Sequence, residues 1–240
     1  MAVIKKIEVE MAKIEKYNDS VCTLTMKPFS KLPEFYPGQF LHLTLDPYIP
    51  SSQWPESRVF SIQSSPTRND EIKITYAVKG KFTRRMFDSL RKGDRTWIKL
   101  PYGNFAIREN KFKKILIAGG TGITPFLSYL TKEVDNPSNS QIHLFYGVRN
   151  EKYIIFTNEL DEYNERLNNY SLTMFSEEIN NVEYNFEEGR LNIDRILQLS
   201  SGAQEKEYYI SGPPQMIQKF ISQLTERKVS RENIFIDAWE

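Results

Sequence analysis

The 240-residue chain has one cysteine, Cys22, and two histidines, His42 and His143. A single thiol excludes an internal disulfide and any cysteine-ligated iron–sulfur cluster or zinc site within one chain. Two histidines are too few for a histidine-rich metal site, and no metal is expected. No run reaches the about 18 apolar residues that a membrane-spanning helix needs. The first ten residues, MAVIKKIEVE, lack the apolar core of a secretion signal and alternate like a strand. The cytoplasm is therefore the expected compartment. Net charge is +1, so no broad attraction to nucleic acid or to a membrane surface is expected. Internal repeats, low-complexity tracts and long linkers are absent. What is there is ordinary globular material, 40% hydrophobic and 26% charged, enough for one large domain or two ordinary ones.

The first hundred residues alternate polar and apolar over short runs: 4–16, 21–27, 39–45, 58–63, 71–78 and 95–100. Pro, Gly, Asn and Asp separate them, which predicts an antiparallel barrel or sandwich. One helical pattern, 82–90, interrupts it. Near Asn110 the pattern changes. Continuous apolar runs at 115–118, 142–146, 172–175, 208–210 and 234–236 read as buried parallel strands. Helical segments at 125–134, 153–167, 192–199 and 214–227 lie between them, which predicts a doubly wound α/β sheet. The boundary falls at 108–113, giving an antiparallel β-barrel over 1–109 and an α/β domain over 110–240. Cys22, inside an alternating strand, reads as a small buried hydrophobe.

The stretch 114–130, KILIAGGTGITPFLSYL, reads as strand, glycine turn and helix. Gly119, Gly120 and Gly122 let a ligand approach the main chain closely. Thr124 is a suitable N-cap and Pro125 suits the first helical position. The helix start would offer N–H groups to a phosphate. The full dinucleotide fingerprint is absent, since Pro125 stands where its third glycine would be. A turn that only closes a strand–helix unit is the alternative.

Four further stretches carry chemistry. Arg58-Val59-Phe60-Ser61 offers a phosphate-gripping guanidinium, a stacking face and a hydroxyl. Gly80-Lys81-Phe82-Thr83 opens a helix and forms a possible anion nest. Ser211-Gly212-Pro213-Pro214-Gln215-Met216 closes a buried strand and opens another helix. Asp237-Ala238-Trp239 lies at the C-terminus.

In this order, on these elements, the stretches resemble the ferredoxin–NADP reductase family of flavoenzymes over nearly the whole chain. The motifs that carry the likeness are R-x-[YF]-[ST] at 58–61, G-x-x-[ST] at 80–83 and Pro-Tyr-Gly-Asn-Phe at 101–105. G-T-G-I-T-P at 120–125 and G-P-x-x-M at 212–216 complete the set. The resemblance implies a flavin-binding barrel followed by a nicotinamide-binding domain. Arg58 would hold the flavin phosphate, with Val59 beside it, and Phe60 would pack on the ring. Ser61 would hydrogen-bond near the reactive N5. Tyr is commoner at position 60, and Phe loses its hydroxyl. Tyr76, Ala77, Val78 and Lys79 would line the flavin. Gly80, Lys81, Phe82 and Thr83 would hold a diphosphate, which favours FAD over FMN. Gly120, Thr121, Gly122 and Thr124, with Gly212, Pro213 and Met216, would clasp NADH or NADPH, and Arg149 would assist. Ser211 stands where relatives commonly carry Cys, close to the nicotinamide. Trp239 would cover the flavin ring until nicotinamide displaces it, and Asp237 would support Ser61 in a proton relay.

The third strand's end, Phe175-Ser176-Glu177-Glu178, presents two carboxylates where NADPH users place basic residues. Repulsion of a 2′-phosphate favours NAD(H), although Arg149 or Arg190 could reach the same place. The resemblance implies electron transfer from NAD(P)H through flavin N5 to a separate carrier: ferredoxin, flavodoxin or an oxygenase component. The protein would be a monomer or small oligomer. Two alternatives stand beside this: an electron-transfer subunit of a larger redox complex, and a non-catalytic nucleotide-binding protein that kept the fold. Segments 29–36 and 47–54, rich in Pro and aromatics, read either as docking loops or as covers for the adenosine of FAD.

Overall fold

A computed structural model describes residues 3–150, 153–178, 186–202 and 205–237. The chain divides into two units: Met1–Ala106 with Leu127–Lys132, and Ile107–Phe126 with Glu133–Glu240.

In the first unit six strands form one antiparallel sheet. They are β1 (Lys5–Lys16), β2 (Val21–Pro28), β3 (Phe40–Thr44), β4 (Ser57–Ser61), β5 (Ile72–Ala77) and β6 (Arg95–Tyr102), in the order β4-β3-β6-β1-β2-β5. The sheet is nearly a closed barrel. Its edge strands meet where Gln63 N–H donates to the Lys73 carbonyl at 2.9 Å and Lys73 N–H to Ser64 Oγ at 3.0 Å. Phe60 and Tyr76 bring their rings to 5.8 Å between centroids. Period-two alternation sends Val9, Met11, Cys22, Leu24, Leu41, Leu43, Ile74 and Ile98 inward as one core. Burial pushes the Cys22 thiol above its ordinary range, and the side chain acts as a small hydrophobe. Helix α1 (Lys81–Ser89) joins β5 to β6 and buries Phe82 and Met86. Its pairing with the barrel is fastened at Arg85, whose guanidinium donates to Asp46 at 2.6 Å.

The second unit is a six-stranded parallel sheet. Its strands are β7 (Lys113–Gly119), β8 (Ile142–Asn150), β9 (Tyr170–Glu178), β10 (Phe186–Glu188), β11 (Lys206–Ser211) and β12 (Ile234–Ile236), in the order β10-β9-β8-β7-β11-β12. Helices α2 (Thr124–Asp135), α3 (Thr157–Arg166), α4 (Ile193–Leu199) and α5 (Pro214–Glu226) connect the strands. Ile193 and Ile196 of α4 and Ile217, Phe220 and Leu224 of α5 pack with Ile115, Ile117, Phe145, Phe175 and Ile210 of the sheet. Strands buried on both faces explain the continuous apolar runs.

At the amino ends of β7 and β11 the sheet holds a buried ion pair. Lys114 Nζ lies 2.6 Å from Glu207 Oε2, and both side chains are almost fully enclosed. Asn110 donates to Glu207 at 2.8 Å and accepts from Lys114, while Tyr209 donates to Glu207 at 2.9 Å. Burial alone would raise the Glu207 carboxyl, but the bonds from Lys114, Asn110 and Tyr209 outweigh it and hold the group below its usual range.

The structure differs from the sequence expectation in two places that bear on the site. The segment 120–123 is a 3-10 turn that runs directly into α2, so Thr124 is already helical and Gly119 takes the capping position. The positive φ of Gly120, +54°, makes this entry possible. Strand β10 was not expected: three residues on a sheet edge are too short to show a period.

Candidate functional site

In the first unit, Arg58 and the start of α1 come together. The Arg58 guanidinium lies 5.1 Å above the Phe82 ring and is steadied by Glu56 Oε1 at 2.8 Å and the Ser57 carbonyl at 2.9 Å. Thr83 Oγ1 accepts from Lys79 N–H at 2.9 Å and Gly80 N–H at 3.1 Å, closing the turn ahead of the helix. The N–H groups of the first helical turn face outward without intrahelical partners. A Cβ on Gly80 would meet nothing within 4 Å, so the glycine keeps the approach open. A cation and helix-start donors converge, the donor set a diphosphate requires. Val59 is partly covered, Phe60 is buried in the barrel wall, and Ser61 is buried beside it. On β5, Tyr76 is buried against Phe60, and burial raises its hydroxyl far above the ordinary tyrosine range. Ala77 and Val78 are partly covered; Lys79 and Lys81 are exposed.

In the second unit, the two glycine motifs meet. Ala118 pairs with Ser211 in the parallel register, so the turns after β7 and β11 leave the sheet side by side. A Cβ on Gly122 would lie 2.4 Å from the Ser211 carbonyl oxygen. On Gly119 it would lie 2.8 Å from Met216 Sδ and 3.0 Å from Pro213 Cδ. On Gly212, at φ +152°, it would lie 2.7 Å from Met216 Cε. At Gly122 the obstructing atoms are main chain and at Gly212 the φ itself opposes a side chain, so these two positions require glycine, whereas at Gly119 the Met216 end could shift. The first N–H groups of the 120–123 turn stand at the carboxyl end of the sheet, where ligands of doubly wound folds bind. Thr121 is half-buried beside them; Thr124 is buried and donates to the Thr121 carbonyl at 2.9 Å, bracing the turn.

Ser211 Oγ donates to Asp237 Oδ2 at 2.9 Å, and Asp237 N–H donates to the Ile210 carbonyl at 2.9 Å. Strand β12 thus delivers a buried carboxylate to the end of β11. Trp239 lies outside the described residues. Arg149 is exposed at the end of β8. Glu177 holds Arg190 in an ion pair of 2.8 Å. Nearby, an open cavity of about 640 Å³ is lined by Phe175, Arg190, Leu191, Asn192, Arg195 and Lys219, among others. Sequence reasoning missed Leu191, whose side chain seats on Gly147 so closely that a Cβ there would come within 2.6 Å. It also missed Asn192, which caps α4 by accepting from Asp194 and Arg195 N–H; an Asn ahead of an apolar run was the available signal.

The comparisons agree with this layout. A family model described as an oxidoreductase NAD-binding domain matches residues 116–221. The propane 2-monooxygenase reductase component of Rhodococcus jostii (strain RHA1) is 26% identical over 98% of this chain and 64% of its own. The chain thus spans a little under two thirds of that relative. Among solved structures, an Amycolatopsis cytochrome P450 reductase superposes with a TM-score of 0.84 at 18% identity, covering 100% of this chain and 71% of that one. The FAD/NAD-binding domain of a nitric oxide dioxygenase from Vibrio cholerae O1 biovar El Tor gives 0.80 at 16% identity, over 96% and 97%. With the paired glycine turns, the Arg58–α1 cradle and the two-unit architecture in hand, the chain shares the fold of these solved reductase structures, and its stretch 116–221 matches an oxidoreductase NAD-binding domain.

Proposed function

We propose that this protein is a flavin-dependent oxidoreductase that takes hydride from a nicotinamide nucleotide and passes the electrons to a separate redox carrier. The observation that carries the reading is the convergence of Arg58 with the first turn of α1, in a barrel whose partner unit ends its central strands in two interlocked glycine turns. When bound, FAD supplies the hydride acceptance and the onward release of electrons. The protein supplies position. We assign residues 1–109 to the flavin and 110–240 to the nicotinamide nucleotide.

Arg58 and the N–H groups of 81–83 hold the diphosphate; Phe60, with Tyr76 to Lys79, borders the ring, and Ser61 presents its hydroxyl to the reactive edge. Gly120, Thr121 and Gly122 hold the nucleotide phosphates, and Gly212, Pro213 and Met216 close the other side. Ser211 stands where the nicotinamide ring would lie. Its proton is engaged by Asp237, so the oxygen lone pairs, rather than the hydroxyl proton, face the ligand. A buried carboxylate there also stabilises the positive charge that a departing hydride leaves on nicotinamide.

Glu177 neutralises Arg190, and the exposed Glu178 beside it leaves a net negative charge at the end of β9, which favours NADH over NADPH. One cysteine leaves the chain without its own iron–sulfur cluster, so the acceptor is a ferredoxin, a flavodoxin or an oxygenase component. The relatives named as reductase components of oxygenases support the last. The test is the absorption spectrum of the pure protein before and after anaerobic NADH. A yellow protein bleached by NADH is expected. A colourless protein that takes up no added FAD would overturn the proposal.

A further inference from the structure

The chain has six methionines. Met11, Met26, Met86 and Met174 are 0%, 0%, 1% and 1% exposed, sealed inside the two units. Met1 lies outside the described residues. Met216 alone among the described methionines reaches solvent. It sits in the first turn of α5, partly buried against the sheet core.

Its contacts set it apart further. Met216 Sδ and Cε lie 2.8 Å and 3.2 Å from where a Cβ on Gly119 would stand, and Cε lies 2.7 Å from where one on Gly212 would stand. Gly119 N is 3.1 Å from that same Gly212 position. One thioether therefore fills the seam between the turn after β7 and the turn after β11. It is apolar and free to rotate. Oxidation of such a side chain makes it polar and disrupts the packing it served.

Resting on the reading of these turns as the nucleotide clasp, we infer that Met216 is an oxidation site through which hydrogen peroxide weakens nucleotide binding. In the step the O–O bond of peroxide breaks, one oxygen joins Sδ as the sulfoxide and the other leaves as water. The sulfur loses two electrons and the peroxide gains them. Peroxide arises wherever an electron pair and two protons reach dioxygen instead of the carrier. If the sulfoxide stays in the seam, its oxygen wedges the glycine turns apart. If it swings out, the seam loses its filler and the oxygen stands beside the nucleotide phosphates, where negative charge is unwelcome. Both outcomes oppose the ligand, so a protein that leaks electrons to dioxygen loses its grip on their donor. Cys22 is no rival target: it is fully enclosed, and burial keeps the reactive thiolate scarce.

The test treats the holoprotein with dilute hydrogen peroxide, maps the added oxygen by mass spectrometry of a digest, and measures the Kd for NAD+ by titration calorimetry. Met216 should gain one oxygen before Met11, Met26, Met86 or Met174 does. The Kd should rise about tenfold, and methionine sulfoxide reductases, which return the sulfoxide to the thioether, should restore it. In Met216→Leu, peroxide should leave the variant's own Kd unmoved; if that variant does not fold, the reductase rescue decides. Oxidation spread evenly over the methionines, or a Met216 sulfoxide with an unmoved Kd, would overturn this inference alone. An untreated protein that binds neither NAD+ nor NADH would overturn it together with the proposed function.

Discussion

Replacing Gly122 by Ala tests the nucleotide clasp most directly. The added Cβ would lie 2.4 Å from the Ser211 carbonyl oxygen, 2.5 Å from its carbon and 2.6 Å from Gly212 N. All three atoms are main chain, so no rotamer change relieves the clash. The turn after β7 must move away from the turn after β11 by about half an ångström or more, since real contacts of this kind start near 3.0 Å. Overpacking of this sort costs about 1–3 kcal/mol. If the cost falls on the ligand-ready arrangement, the KM for NADH rises about 5- to 150-fold. If it falls on folding, the second unit melts earlier by a corresponding amount. Flavin content, read from absorbance, should stay at the wild-type level, because the diphosphate cradle belongs to the barrel. Gly120→Ala is the control. Its Cβ meets nothing within 4 Å, and only the φ of +54° opposes it, at about 1–2 kcal/mol. Steady-state NADH kinetics with a ferricyanide acceptor, together with a thermal melt, measure both. A Gly122→Ala protein with unchanged KM and unchanged melting would refute the claim that the two turns hold each other.

Glu177→Arg replaces the carboxylate that occupies Arg190 with a second cation, and should lower the KM for NADPH at least tenfold in the same assay. Burial, with a smaller contribution from Lys113, holds His143 down to about 4, so the folded protein keeps it neutral. Its stability contribution is complete above the ordinary value near 6.5 and is lost as pH falls from there to about 4. The loss amounts to about 3 kcal/mol, measurable by urea titration at pH 7.5 and 4.5. His143→Phe should flatten that dependence. Glu207→Ala leaves Lys114 buried and unpaired, and should cost about 3–5 kcal/mol in urea unfolding. Lys114→Met with Glu207→Leu should recover most of that loss.

The barrel and the parallel sheet were both legible in the sequence, because alternation in 21–27 and unbroken apolar runs such as 115–118 reflect one-sided and two-sided burial. Glycine turns were legible as well, since few other reasons place Gly119, Gly120 and Gly122 together after a strand. Thr23, Thr75 and Gln63 were not. A polar residue at every second strand position reads as a solvent face, and only the pairing of β2 with β5 shows Thr23 and Thr75 buried and joined across 52 residues of chain. The partnership of Ser211 with Asp237 was equally invisible, because it depends on β12 lying parallel beside β11. The start of α2 lay within one residue of the expectation, but the 3-10 turn at 120–123 ahead of it was not legible, because so short a turn leaves no periodic trace.

The buried Lys114–Glu207 pair sits at one end of β7 and β11, and the glycine turns sit at the other. The two strands are anchored like a hinge pin at their feet, and their heads are bare backbone. Loops at the head can therefore be lengthened, shortened or recharged to suit a different dinucleotide while the strand register beneath them stays fixed. Changes at the foot would disturb every loop at once.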